Sequence, residues 1–230
     1  MSRTAVLFDI GDTLVRRPDV GPGRRIAAAL GLGRDEARAI TGWLFREAFA
    51  SPDALVERLR AAFVLDGAID AAIAAIWQAQ ETEPIEVSGA TACVAAARAS
   101  GAGIGLVSNI WAPYETGFRR ACPAIVPLVD TWHLSYRAGV AKPDPALFHA
   151  ALRALDVAPG NAMMVGDSLD KDVRPALALG MRALWIPATA DGSTAVAGDA
   201  ESPPPGAIVA PDLHTARAAI VGFLAGTRLV

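Results

Sequence analysis

Four polar clusters, each following a short apolar run, constrain the fold of this chain more than any other feature of its sequence. The clusters are Asp9-Ile10-Gly11-Asp12-Thr13, Ser108-Asn109, Lys142-Pro143, and Gly166-Asp167-Ser168 with Asp172. The preceding apolar runs, at residues 5–8, 104–107, 132–134 and 163–166, are short enough to be buried strands, and the third leads into Ser135 with Lys142 just beyond it. Polar residues at the ends of parallel strands meet in one crevice even when they are distant in sequence. We therefore expect carboxylates, a hydroxyl and an ammonium group to share one crevice of an α/β fold.

The segments between these runs carry apolar residues at helical spacing, which predicts a Rossmann-like parallel sheet with right-handed helical crossovers. This core is expected to contain residues 1–17 and 85–230. Residues 18–84 lack the strand pattern and are predicted to form an inserted, all-helical cap domain. Within the cap, Asp35 is expected to cap one helix and Ser51-Pro52 to begin another. Most apolar residues of these helices are expected in the core, with a few free to face a substrate.

Two glycine-containing segments are predicted to connect helices and strands. The string from Gly101 to Gly105 precedes a strand instead of following one, so it is predicted to end a helix at about Ser100 and to enter the strand. A dinucleotide-binding loop would follow the strand. Residues 190–206, rich in Gly, Ala, Ser and Pro, are predicted to be a mobile loop before a short strand near Ile208 and a final helix.

Composition and charge argue against several classes of function. The net charge is −3 and no long block of Lys or Arg is present, so we expect no nucleic-acid partner. No apolar stretch is long enough for a membrane span or a signal-peptide core, so a soluble cytoplasmic protein is expected. Cys93 and Cys122 lie far apart and are expected to be small buried hydrophobes rather than zinc ligands or a disulfide. The histidines show no metal-ligand spacing.

Taken in this order, the four clusters resemble the motifs of the haloacid dehalogenase-like (HAD-like) hydrolase superfamily, over the chain from about Ala5 to Ile186. The helical insert after the first cluster matches the cap position of one large branch. Most members of the superfamily are magnesium-dependent phosphatases that act through an aspartyl-phosphate. The resemblance therefore implies a phosphatase of a small phosphorylated metabolite, with Mg²⁺ as cofactor and a cap that excludes water from the crevice.

Asp9 is the candidate nucleophile, because a carboxylate can attack phosphorus without first losing a proton. An all-oxygen ligand set completed by water and phosphate suits Mg²⁺. By resemblance, the metal ligands are Asp9, the backbone carbonyl of Gly11, Asp167 and Asp172. Asp172 is expected either to hold a metal-bound water or to orient Lys142. Its neighbour Asp170 is expected to be an exposed turn or helix-cap residue.

The remaining candidates offer positive charge and hydrogen-bond donors to a phosphoryl group. Lys142 is expected to stabilise the negative charge on the nucleophile and on the transferred group. Ser108 and Thr13 offer hydroxyls, and backbone N–H groups around Ile10 and Asn109 can point into the same space. Catalytic roles are thus predicted for Asp9, Lys142, Ser108 and Thr13, and substrate binding for Ser108, Asn109 and Lys142.

The first cluster departs from the superfamily pattern at one position. Phosphatases of the superfamily usually carry a second Asp two residues after the nucleophile, which protonates the leaving oxygen and later activates water. Here that position is Gly11, and an Asp follows one place later as Asp12. General acid help is typically worth about 10²–10⁴-fold in rate, so its loss should favour leaving groups that depart as stable anions. A distorted turn could bring Asp12 into the missing role, although the usual alternation of side chains argues against it.

Two alternative functions follow from this departure and from the diversity of the superfamily. One is the hydrolytic dehalogenation of a short 2-haloacid, against which the retained acidic pair Asp167 and Asp172 argues. The other is a weakly active or inactive scaffold that binds a phosphorylated ligand or a protein, which Gly11 motivates. Metal dependence separates these functions, because the phosphatase needs Mg²⁺, the dehalogenase does not, and a scaffold turns over nothing. The sequence leaves the substrate and the oligomeric state open.

Overall fold

The computed structural model of the chain describes residues 3–16, 20–65, 67–187 and 202–226. The strands are β1 (Ala5–Phe8), β2 (Val15–Arg16), β3 (Ile85–Glu86), β4 (Gly103–Ser108), β5 (Thr131–Leu134), β6 (Ala162–Gly166), β7 (Arg182–Trp185) and β8 (Ala207–Val209). Six of them form one parallel sheet in the order β5-β4-β1-β6-β7-β8. The predicted α/β fold with a Rossmann-like parallel sheet is confirmed.

Helices lie between the strands and in the insert. They are α1 (Pro22–Ala29), α2 (Arg34–Leu44), α3 (Pro52–Ala62), α4 (Asp70–Thr82), α5 (Ala90–Ala99), α6 (Ala112–Ala121), α7 (Ser135–Ala138), α8 (Pro145–Leu155), α9 (Arg174–Ala178) and α10 (Leu213–Leu224). The first four belong to the insert, so the cap is all-helical as predicted. None of the helices in the described ranges combines the length and the apolarity that a bilayer span requires.

Alternation of side chains along the central strand explains why both faces of the sheet are covered. All four residues of β1 are fully buried. Val6 and Phe8 point to the face covered by α5 and α10, whereas Ala5 and Leu7 point to the face covered by α8 and α9. A strand that is buried on both faces reads as a continuous apolar run, which is the pattern seen in the sequence.

The apolar residues of the cap are buried in the same cluster as one face of the sheet. This part of the cluster includes Ile26, Ile40, Leu44, Leu55 and Leu59, all with no exposed surface. Gly23 allows α1 to approach α2 closely, because a Cβ there would lie 2.1 Å from the side-chain oxygen of Thr41. Helix α1 was not predicted, since its sequence is short and carries few large apolar residues.

The predicted helix starts in the cap are correct in one case and wrong in the other. Ser51 caps α3, and its Oγ accepts a hydrogen bond from the N–H of Ala54 at 3.3 Å. Asp35 does not cap α2. Gly33 occupies the cap position instead, and its N–H donates to the Glu36 carboxylate at 2.9 Å, so Asp35 falls within the first turn.

A short antiparallel pair lies between the cap and the core. Val15 pairs with Glu86 and Arg16 with Ile85, so β2 and β3 hold the entry and exit of the cap together. Two-residue strands carry too little periodicity to be predicted.

The first expected domain boundary, between residues 17 and 18, lies outside the described residues, and the second falls next to the start of β3. The domain boundaries therefore stay a prediction.

Other local predictions are confirmed by the structure. Helix α5 ends before Gly101, which adopts a φ of 85°, and Gly103 and Gly105 lie in β4. Cys93 and Cys122 are free and fully buried, and burial raises the pKa of both thiols to about 12. Residues 190–201 of the predicted mobile loop lie outside the described residues.

Asp172 lies inside a π-helical turn, Leu169–Val173, that leads directly into α9. The wider turn follows the N-cap Ser168, whose Oγ accepts a hydrogen bond from the N–H of Lys171 at 3.3 Å.

Candidate active site

The carboxyl ends of the central strands surround one cavity of about 300 Å³. Asp9 follows β1, Ser108 ends β4, and Asp167 follows β6, and all three line this cavity. Lys142 reaches it from the loop before α8, while Asp172 lies fully buried beneath it. The structure thus brings together the five residues that the sequence pattern placed at strand ends.

Lys142 lies between two carboxylates. Its Nζ is 2.8 Å from Asp9 Oδ1 and 2.6 Å from Asp172 Oδ1, and its side chain is 1% exposed. Burial by itself would lower the pKa of this ammonium, but the charges of Asp172 and Asp9 outweigh burial, and the pKa is raised. Lys142 therefore stays protonated and presents a fixed positive charge beside the candidate nucleophile.

Both oxygens of Asp172 are engaged by the protein. Oδ1 accepts from Lys142, and Oδ2 accepts from the N–H of Ser168 at 3.1 Å. Burial raises the pKa of Asp172 to about 6, an effect that Lys142 opposes. Gly166 leaves the room for this carboxylate, because a Cβ there would lie 2.4 Å from Asp172 Cγ. Of the two predicted roles of Asp172, its contacts support the orientation of Lys142.

Asp170 is the acidic neighbour of Asp172 and faces away from the cavity. It is exposed and forms an ion pair with Arg174, one turn along the chain. Its position agrees with the expectation of an exposed turn residue.

A cluster of acidic oxygens forms at the base of the cavity. Asp9, Asp167 and Asp172 each offer an oxygen atom, and these atoms lie within 4.8 Å of one another. Burial, followed by the neighbouring carboxylates, raises the pKa of Asp167 to about 8. Lys142 is the cation in direct contact with the cluster. An all-oxygen set with excess negative charge fits a hard divalent cation such as Mg²⁺.

The other predicted site residues differ in how directly they face the cavity. Ser108 is 1% exposed and lines it. Asn109 lines it too, but its side chain brackets the backbone of Lys142, donating to the carbonyl at 2.8 Å and accepting from the N–H at 2.7 Å. The Asn109 side chain thus fixes the backbone position of Lys142.

Thr13 is fully buried and is not among the residues that line the cavity. Its hydroxyl has no hydrogen-bond partner within the described part of the chain. The catalytic role predicted for it stays a prediction.

The loop after Asp9 turns sharply at the position where the chain departs from the superfamily pattern. Asp12 adopts a φ of 56°, and its N–H donates to the carbonyl of Val15 at 2.7 Å. Gly11 lines the cavity, whereas Asp12 is not among the lining residues. The turn is thus distorted, as one interpretation of the sequence required, but the side chain of Asp12 stays outside the cavity lining.

Sequence reasoning missed the residues that line the cavity from the cap and from α6. They include Arg24, Thr41, Phe45 and Gln80 from the cap, and Tyr114 and Trp111 from α6 and the turn before it. Lys171, beside the predicted Asp172, also lines the cavity. The helical stripes indicated that some cap residues would face a substrate, but they did not indicate which.

Comparisons with known proteins found similar sequences and similar folds. A model of the HAD-hydrolase-like family matches residues 139–216. The phosphoserine phosphatase of Thermus thermophilus is 53% identical over 53 residues, which are 23% of this chain and 21% of that protein. The glyceraldehyde 3-phosphate phosphatase of Pyrococcus furiosus is 47% identical over 48 residues, 21% of this chain and 20% of that protein. The matched segment therefore spans only about a fifth of each curated relative.

Similarity to solved structures extends over almost the whole chain. A HAD phosphatase from Thermococcus onnurineus has a TM-score of 0.58 and 23% identity, with 98% of this chain and 100% of that chain covered. A 2-haloacid dehalogenase from Pseudomonas syringae pv. tomato has a TM-score of 0.63 and 21% identity, with 96% and 99% covered. At this identity the similarity shows the shared fold.

Proposed function

The chain belongs to the HAD-like hydrolase superfamily, and we propose that it is a Mg²⁺-dependent phosphatase of a small phosphorylated metabolite that acts through an aspartyl-phosphate. The observation that carries this proposal is the contact of Lys142 with Asp9, at 2.8 Å, in a cavity that Asp167 also lines. A carboxylate held beside a fixed cation is suited to attack a phosphoryl group, whose negative charge the cation offsets.

The steps follow from the positions of the protein's own groups. Asp9 attacks phosphorus, and the bond to the leaving oxygen breaks. Lys142 stabilises the oxygens of the transferred group, and Asp172 holds Lys142 in place through its 2.6 Å contact. Ser108 offers a hydroxyl to the same group. Water then attacks the phosphorus of the aspartyl-phosphate and regenerates the carboxylate of Asp9.

The Mg²⁺ would be held by Asp9, by Asp167 and by the backbone carbonyl of Gly11. Asp172 would hold it directly or through water. When bound, the ion would offset the charge of the acidic cluster and of the phosphoryl oxygens.

The cap side of the cavity supports a substrate that carries oxygen atoms beyond its phosphate. Arg24 and Lys171 line the cavity, and neither has an ion-pair partner among the residues that the structure describes. The buried amide nitrogen of Gln80 likewise has no acceptor there. Two cations and an amide donor favour an acidic or hydroxylated remainder. The relatives named for phosphoserine and glyceraldehyde 3-phosphate act on small compounds of this kind.

A turnover screen of phosphorylated metabolites, with Mg²⁺ and with a chelator, tests the proposal. Phosphate release is expected with Mg²⁺ only, and Asp9→Asn is expected to abolish it while the thermal unfolding curve stays close to that of the wild type, because an amide keeps the shape but is a poor nucleophile. Wild-type activity in Asp9→Asn would contradict the assignment of Asp9 as the nucleophile. Chloride release from a 2-haloacid without Mg²⁺ would point to dehalogenation, and binding without turnover would point to a scaffold.

A further inference from the structure

A tyrosine from a distant element occupies the space beside Gly11. Tyr114 lies in the first turn of α6, is 5% exposed and lines the same cavity as Asp9 and Gly11. Its hydroxyl is the atom that a Cβ at position 11 would meet first, at 3.7 Å. The hydroxyl therefore lies where the side chain of an acidic residue at position 11 would extend.

Tyr114 also has the chemistry that the position requires. A phenol carries its proton at neutral pH and can donate it to an oxygen. Asp12 is the other candidate from the sequence, and its charge contributes to the raised pKa of Asp167, but it is not among the residues that line the cavity. Of these two groups, Tyr114 is the one that faces the space next to the nucleophile.

We propose that Tyr114 is a catalytic residue that replaces the missing acidic side chain at Gly11 by protonating the leaving oxygen. This rests on the proposed phosphatase function. As Asp9 attacks phosphorus, the electron pair of the breaking P–O bond passes to the ester oxygen, which takes the phenolic proton and leaves as an alcohol. The resulting phenolate then accepts a proton from the water that attacks the aspartyl-phosphate. The products are phosphate, the free Asp9 carboxylate and the neutral phenol.

The test measures kcat/KM for phosphate monoesters of graded leaving-group acidity, because this ratio reports the steps up to departure of the alcohol. Tyr114→Phe is expected to lower kcat/KM for an alkyl phosphate by about 10²-fold, within the range of general acid catalysis. It should leave 4-nitrophenyl phosphate almost unchanged, since nitrophenolate departs without a proton. The dependence of kcat/KM on the acidity of the leaving group should therefore become steeper.

A rescue variant and a matched control make the result specific. Gly11 has no left-handed φ, and a Cβ there meets only the Tyr114 hydroxyl, which Tyr114→Phe removes, so Gly11→Asp is introduced in that variant. Added to Tyr114→Phe, it should restore much of the activity on alkyl phosphates. Tyr136→Phe removes the chain's other phenol, which donates to Glu115 at 2.6 Å and does not line the cavity, and it should leave the dependence unchanged.

Four outcomes would overturn the role of Tyr114. If Tyr114→Phe keeps wild-type activity on alkyl phosphates, or loses activity equally on both ester types, the hydroxyl is not the acid. If Asp12→Ala alone steepens the dependence, the acid is Asp12. If the wild-type protein hydrolyses no phosphate monoester at all, the proposed function fails, and the role of Tyr114 fails with it.

Discussion

Gln80 is a buried polar side chain of the cap that lines the cavity. It is 1% exposed, and its Oε1 accepts a hydrogen bond from the indole N–H of Trp111 at 3.0 Å. Since an indole can only donate, this contact determines which end of the amide faces the other way. The Nε2 group is left without an acceptor among the described residues. A buried donor without a partner costs about 1–3 kcal/mol, and an oxygen of the substrate would remove that cost.

Replacement of Gln80 by Glu tests this contact without losing the bond to Trp111. A carboxylate still accepts from the indole, but it repels an acidic substrate instead of donating to it. We expect KM for such a substrate to rise about tenfold or more, which corresponds to a loss of about 1.4 kcal/mol. Gln78→Glu makes the same charge change at an exposed position of the same helix and should leave KM unchanged. Equal KM values for the two variants would show that Gln80 does not contact the substrate.

At the scale of elements, the contact between α4 and α6 joins the cap to the core. Gly117 of α6 allows close approach, because a Cβ there would lie 2.4 Å from the backbone carbonyl oxygen of Gln80. The guanidinium of Arg120 donates to three carbonyls at the end of α4, those of Glu81, Thr82 and Pro84, at 2.9, 2.6 and 2.7 Å. These bonds satisfy carbonyls that a helix end leaves free. The position of Gln80 in the cavity therefore depends on this helix contact.

Gly117→Ala is expected to push α4 away from α6, since a backbone atom cannot move aside as a side chain can. The free energy of unfolding should fall by about 1–3 kcal/mol, as in other overpacked sites. KM should rise as well, because Gln80 moves with α4. Gly42→Ala is the control. A Cβ at that helical position meets only the end of Arg46 at 3.7 Å, so it should stabilise the protein by about 0.5–1 kcal/mol. Urea unfolding of both variants measures the difference, and equal stabilities would contradict the steric argument.

At the scale of the whole molecule, buried negative charge exceeds positive charge at the candidate active site. Asp9, Asp167 and Asp172 lie within one acidic cluster, and Lys142 is the ammonium that contacts two of them. Burial raises the pKa of Asp167 to about 8, which means that its ionised form is disfavoured in the folded protein. A divalent cation that binds the folded chain but not the unfolded chain would offset this cost. By mass action it would raise the free energy of unfolding.

Mg²⁺ is accordingly expected to stabilise the fold. At a concentration one hundred times its dissociation constant the gain is about 2.7 kcal/mol. For a chain of this size that gain raises the unfolding temperature by roughly 5–10 °C. Asp167→Asn should raise the unfolding temperature in a chelator and reduce the rise on addition of Mg²⁺, because it removes one carboxylate from the cluster. Asp170→Asn, at the exposed neighbouring acid, should keep the full rise. A full rise in Asp167→Asn would contradict the role of Asp167 as a ligand.

The amino-acid sequence by itself determined the sheet and the polar residues at its edge. A strand that is buried on both faces needs a continuous apolar run, and such a run is visible locally at Ala5–Phe8 and at Ala162–Gly166. The residue that follows each run must lie at the edge of the sheet, because parallel strands share their direction. Asp9 and Asp167 could therefore be placed together before any coordinates were known.

Only the tertiary structure decided which other residues complete the cavity. Tyr114 and Gln80 lie on helices whose apolar spacing says which face is buried but not which distant residue that face meets. Thr13 matches a motif position and yet lies buried outside the cavity lining. The two-residue strands β2 and β3 exist because their partners meet across the whole cap. Contacts of this kind depend on how helices pack over long distances in sequence, and local periodicity carries no information about that packing.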